Sequence, residues 1–329
     1  MKKVKIIACI TALLLLITVV GCDSSSDSVE ESIPAEFSIV CTLFSQYDWI
    51  REVLGERLSY FDVSYLADRG VDSHSFAPSV QDIGKIKSAD LFVYTGGKSD
   101  NWVEGIARNP DSLTLNLIEA LGDDVLIFGD FCGDDCDEDH DHNQEEEQEA
   151  VGVDEHICVS LRHAKIAVAA IADSISELDP DNAQIYSKNA TRYIAELSDL
   201  DERYQAVVKE SAVNALVFAD RFPFRYMMSD YGLAYDAAFQ GCSAETEASF
   251  ATIVSLANRL DQLKLKYVMV TETSDKSIAE TVINSSNDKN QQILVLNSMK
   301  MVFPSDVQSG ITYLSIMESN LEVLREALS

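Results

Sequence analysis

Short apolar runs separated by amphipathic stretches recur along the chain. FSIVCT (37–42), FDVSYL (61–66) and DLFVYT (90–95) are rich in β-branched and aromatic residues and read as strands; a helical stretch, Trp49 to Arg57, separates the first two. The alternation returns in NALVFAD (214–220), LAYDAA (233–238), KYVMVTE (266–272) and QILVLNS (292–298), with helices between them and a last helix from about Asp306 to Leu328. Strands alternating with helices predict βαβ units and mostly parallel sheets. Between the halves, a helix over 161–178 is stopped by Asp179-Pro180. The next, 181–210, would be about 45 Å long at 1.5 Å per residue, enough for a strut. The predicted fold class is α/β. Two lobes, 37–178 and 211–329, are joined by one long linking helix over 179–210, with no shorter repeat.

Two segments break this pattern. Three lysines within Met1–Lys5 precede a nearly apolar Ile6–Val20, then Val19-Val20-Gly21-Cys22. An apolar core of about 15 residues behind a basic patch makes 1–21 a secretory signal, since a membrane span needs roughly 20. Cys22 directly after a small residue resembles a bacterial lipobox. On that reading Cys22 is acylated, the acidic, Ser-rich 22–36 is a flexible tether, and the protein is anchored on the extracytoplasmic face of the cell membrane. The alternative is an ordinary signal peptide with an incidental Cys22. The second segment, 130–155, holds 13 carboxylates, His140, His142, Cys132 and Cys136, and no Lys or Arg. It cannot bury enough apolar surface to fold alone.

The net charge of −30 excludes nucleic acid as a partner and suits a protein that attracts cations. With Cys22 acylated, an odd number of cysteines remains, unlike an even, dense disulfide framework. The five histidines are His74, His140, His142, His156 and His163. His74 follows a strand and precedes a capped helix, where open α/β sheets place ligands, and His156 directly follows the acidic segment.

GVDSHSFAPSVQDIGKIKSADLFVYTGGKSDNW, DEHICVSLRHAK, SELDPDNAQIYSKNATRYIAELSDLDERY and ITYLSIMESNLEVLREAL together resemble the zinc/manganese-type substrate-binding proteins of bacterial ABC importers, across nearly the whole chain beyond the signal. The resemblance implies a non-enzymatic metal receptor, two lobes braced by a rigid helix, and a partner permease with a separate ATPase. The cargo it implies is zinc, or else manganese or another divalent transition metal, and the expected state is a monomer. It carries over His74 and His156 as ligands, since imidazole suits late divalent metals.

The other two family ligands do not carry over. Arg221 stands where a histidine is usual, and a guanidinium cannot ligate a cation. Asn297 stands where an aspartate is usual and is a weak donor. Asp220 and Glu272, each ending a strand, are the candidates to complete the shell; each has a structural alternative as a cap or ion-pair partner. Cys41 and Cys242 offer thiolates but read more readily as buried thiols or a disulfide. Glu245 and Glu247 read as helix first-turn carboxylates. His140 and His142 either collect metal for the cleft or belong to a solvated insert. Arg221 and Arg225 keep open a metal chelate or other anionic ligand; an adhesin-like interaction protein and a metal-dependent hydrolase are the remaining alternatives.

Overall fold

Residues 35–68, 76–106, 111–129, 152–239 and 248–329 are described by the structure, a computed structural model. In the N-terminal lobe β1 (Phe37–Cys41) runs into α1 (Phe44–Leu54), and β2 (Phe61–Tyr65) follows. Next come α2 (Val80–Ser88), β3 (Leu91–Tyr94), β4 (Leu113–Asn116) and the short α3 (Leu117–Leu121). The strands are all parallel, in the order β2-β1-β3-β4. A two-residue antiparallel hairpin, β5 (Phe128–Gly129) with β6 (Gly152–Val153), brackets the acidic segment.

Two antiparallel helices follow, α4 (Leu161–Leu178) and α5 (Ala183–Glu210). The C-terminal lobe holds β7 (Ala215–Phe218), α6 (Arg225–Tyr231), β8 (Ala234–Ala237), α7 (Phe250–Leu263) and β9 (Tyr267–Thr271). It ends with α8 (Ser277–Ser285), β10 (Gln292–Leu296), α9 (Pro304–Gln308) and α10 (Tyr313–Ala327). Its sheet is also parallel, in the order β10-β9-β7-β8. In both sheets the first strand is internal, the second joins one side, and the third and fourth join the other. The lobes therefore share a topology that leaves no repeat in the sequence.

Three local features differ from the sequence reading. α1 begins at Phe44 rather than Trp49, because the buried Gln46 side chain accepts the Thr42 and Leu43 amides at 2.9 and 3.2 Å and starts the helix early. β4 was not anticipated, since LTLN is too short and too mixed to stand out. The last helix is two helices: Gly310, at φ 98°, breaks it, and Thr312 restarts it by accepting the Ser315 amide.

α5 buries Tyr186, Tyr193, Leu197, Leu200 and Tyr204 on one face. Ala164 and Ala167 on α4 are small enough to let the two helices approach closely. Burying each Leu or Ile of this interface contributes about 1.5–3 kcal/mol. One apolar core runs from Ile39 and Trp49, along this helix pair, to Phe218, Met269 and Tyr313, so both lobes share it. Polar ties cross with it. Asp48 on α1 accepts the Tyr313 amide at 2.8 Å, and the Tyr65 hydroxyl donates to the Val302 carbonyl at 2.9 Å.

Candidate metal centre

In each lobe the connections swap sides next to the first strand, between β1 and β3 and between β7 and β9, and such points favour ligand sites. A cleft opens at the carboxyl ends of the strands. Thr42, Leu43 and Ser45 after β1 line it, with Thr95, Ser99 and Asp100 after β3. Glu155, His156 and Cys158 line it after the hairpin, and Pro223 and Ser298–Lys300 line it from the C-terminal lobe. Gln46 closes the floor on the N-terminal side, donating to the Thr95 hydroxyl at 2.9 Å.

His156 is held by the two residues before it, each tied to a different lobe. Glu155 accepts the Ser99 amide at 2.8 Å. Gly97 makes room: at φ 78° any Cβ there would lie 2.6 Å from Glu155 Oε1. Asp154 is nearly fully buried, and its Oδ1 accepts the His156 amide at 2.9 Å and lies 2.7 Å from His156 Nδ1. Its Oδ2 lies 3.4 Å from Nε of Arg225, the first residue of α6. The Asp154 carbonyl accepts the Tyr226 hydroxyl at 2.7 Å, and that hydroxyl accepts the Ile127 amide at 3.3 Å. Both stems of the hairpin are thus clamped to the C-terminal lobe. Burial alone would raise the Asp154 carboxyl, but the His156 ring, its hydrogen bonds and the Arg225 charge outweigh it and hold the group below the usual carboxylate range.

The carboxylates considered for the shell are engaged elsewhere. Asp220 Oδ2 accepts the Thr271 amide and hydroxyl at 2.9 and 2.6 Å, stitching β7 to β9, while Oδ1 accepts the Arg221 amide at 2.8 Å. Glu272 accepts the Ser298 and Lys300 amides at 2.8 and 3.0 Å, which shapes the cleft-lining turn after β10. The Asn297 side chain accepts the Met299 amide at 2.7 Å, and its backbone is held by Asn320. The Cys41 thiol is free but buried among the carbonyls of Leu43 and Ser64, and burial raises it well above its usual pKa.

His74, His140, His142, Cys22, Cys132, Cys136, Cys242, Glu245 and Glu247 lie outside the described residues. Among the described residues, no group of three or more His, Cys, Asp and Glu is placed to hold a metal. The structure adds two residues that the sequence reading did not single out. Asp154 falls at the end of the acidic insert in the sequence, although its spacing of two before His156 is a readable signal. Cys158 carries a free thiol into the cleft beside Ser45, and burial pushes it up to about 11.

With that geometry in hand, residues 39–327 match the family described as "ZnuA: Zinc-uptake complex component A periplasmic". The zinc-binding lipoprotein AdcA of Streptococcus pneumoniae is 28% identical over 99% of this chain, and the chain spans 61% of that relative's length. The high-affinity zinc uptake system protein ZnuA of Bacillus subtilis is 28% identical over 97% of this chain and 96% of its own. The crystal structure of Zn(II)-bound AdcA from Streptococcus pneumoniae superposes with a TM-score of 0.68 at 25% identity, covering 89% of this chain and 57% of that one. No helix among the described residues is long and apolar enough to cross a membrane.

Proposed function

Since the chain belongs to the periplasmic zinc-uptake complex component A family, we propose that it captures a divalent transition metal, zinc foremost, in the interlobe cleft and delivers it to an ABC importer. Its task is binding, not catalysis, as for the family. The observation that carries the reading is His156, held at the cleft by one neighbour tied to each lobe. Imidazole nitrogen binds zinc at about 2.0–2.1 Å. His74 is the second proposed ligand, and Asp220 and Glu272 are the carboxylates proposed to complete the shell, each able to serve only by releasing a present hydrogen bond. The acidic segment raises local cation concentration with a field that weakens in salt, and His140 and His142 add transient donors.

The finer parts follow as proposals. Residues 1–21 are the signal, Cys22 is acylated, 22–36 is the tether, and the mature domain stands on the extracytoplasmic side of the membrane as a monomer. The lobes are 37–178 and 211–329, braced by 179–210. The partner is a membrane permease with a separate ATPase. The shared core restricts hinge bending, so loading and release proceed through local changes at the cleft.

Calorimetry tests the site. The metal-free protein should take up about one zinc, and His74→Ala with His156→Ala should abolish uptake; stoichiometric zinc in the double variant would overturn the assignment. The anionic-chelate alternative rests on Arg221, which follows β7 two residues before the cleft-lining Pro223. Zinc binding that strengthens only with an added small carboxylate would select it. The family match favours uptake over an adhesin role.

A further inference from the structure

Asp154 acts on the metal-facing histidine from behind, and Arg225 reaches Asp154 from the other lobe. We infer that Asp154 is a positioning residue that fixes the His156 ring with Nδ1 turned inward and Nε2 presented to the cargo, and that Arg225 on the C-terminal lobe holds Asp154 in that role. The inference rests on the metal-capture reading of the cleft and deepens it.

The geometry carries it. With Oδ2 facing the Arg225 guanidinium and Oδ1 already taking the His156 amide, the Asp154 carboxylate offers acceptors to the ring, so the 2.7 Å contact from His156 Nδ1 to Asp154 Oδ1 places the proton on Nδ1. The same Oδ1 takes the His156 amide at 2.9 Å, which fixes backbone and ring together. Asp154 is nearly fully buried, and its amide donates to the Ile127 carbonyl at 2.9 Å, so the carboxylate has little freedom to turn away. Oδ2 faces Arg225, whose Nη1 donates to the Tyr235 hydroxyl of β8 at 2.9 Å. The order of the ring is therefore set through a contact between the lobes. A histidine ligand so backed by a carboxylate is a stronger and better oriented donor, and loss of such a partner typically lowers metal affinity about 10–100-fold.

The test uses the soluble mature protein and two readouts. In the metal-free protein, long-range 15N–1H correlation should show His156 protonated on Nδ1, and Asp154→Ala should shift it toward the Nε2–H tautomer. Asp154→Asn, close in shape, should keep the fold by circular dichroism and lose zinc affinity by roughly 10–100-fold. Arg225→Met should lose less in the wild-type background and nothing further in Asp154→Asn, because it acts through Asp154. An Nε2–H tautomer in the wild type, unchanged zinc affinity in Asp154→Asn, or additive losses on combining the two variants would each overturn the inference. If the wild type bound no zinc, the uptake reading itself would fail, while the tautomer measurement would still decide the positioning role.

Discussion

Asp48 offers a quantitative test of how the lobes are joined. Its carboxylate is 2% exposed, on α1, and accepts the amide at the start of α10. Burial raises its pKa from 3.8 to about 6; the Tyr313 amide pulls the other way, Glu52 adds to the rise, and Arg51 offsets it. The folded state therefore binds the proton more tightly than the unfolded chain. The associated stability is fully present below about pH 4 and is lost as pH rises through 6. A shift of about two units corresponds to about 3 kcal/mol. Asp48→Asn removes the titration while keeping an acceptor for the Tyr313 amide. Urea denaturation of chelator-treated wild type and variant from pH 4 to pH 8 gives the difference in unfolding free energy at each pH. That difference should move in the variant's favour by about 2–3 kcal/mol between pH 4 and 8, most of it between pH 4 and 6 and half of it by about pH 5. Any fixed cost of the new amide cancels in this comparison. A difference constant to within about 1 kcal/mol across the range would refute the reasoning.

Three further outcomes are expected. His163, buried against Tyr226 and donating to the Val125 carbonyl, is lowered to about 4 chiefly by burial, so its contribution is full above about 6.5 and is lost as pH falls toward 4. His163→Gln should flatten that acid limb by up to about 3 kcal/mol in the same denaturation series. Because Asp48 and His163 act in opposite directions between pH 4 and 6, the wild-type profile alone conceals both, and only the variant differences resolve them. Gly97→Ala combines a left-handed φ with a 2.6 Å approach to Glu155, and should cost about 1–3 kcal/mol and weaken zinc binding by calorimetry. Gly105→Ala, with open space around it, is the control expected to do neither. Zinc at 100 times its Kd should raise the unfolding free energy of the wild type by about 2.7 kcal/mol, with no such gain in the His156→Ala variant.

The β–α alternation was legible because buried parallel strands are short apolar runs, and each lobe repeats that signal four times with only LTLN too short to read. α4 and α5 were legible because Asp179-Pro180 separates two long amphipathic stretches. The Gly310 break was not, since the apolar spacing continues on both sides of it. At the site, His156 stood out because DEHICVSLRHAK resembles the family's second histidine segment; its place after the acidic segment alone did not distinguish it from a surface histidine. The uses of Asp220 and Glu272 could not: a carboxylate ending a strand looks the same in sequence whether it faces a metal or a backbone amide. Only the register of β9 beside β7 puts Thr271 within reach of Asp220. The division of labour between Asp154 and Glu155 was likewise hidden, because adjacent residues that anchor to opposite lobes carry no periodic signature.

The ties between α1 and α10 set the order in which the molecule can be assembled. Asp48 meets Tyr313 across 265 residues of chain, and Tyr65 meets Val302 across 237. Closing loops of that size is an entropic cost that must be met before these contacts give anything back. The first lobe to be synthesised thus waits for the last helix before its buried carboxylate and Trp49 are covered. Folding should show a late, slow phase reported by Trp49 fluorescence, following earlier formation of the α4–α5 hairpin. A chain truncated before Tyr313 should stall in a partly packed state with exposed apolar surface, rather than yield a free-standing N-terminal lobe.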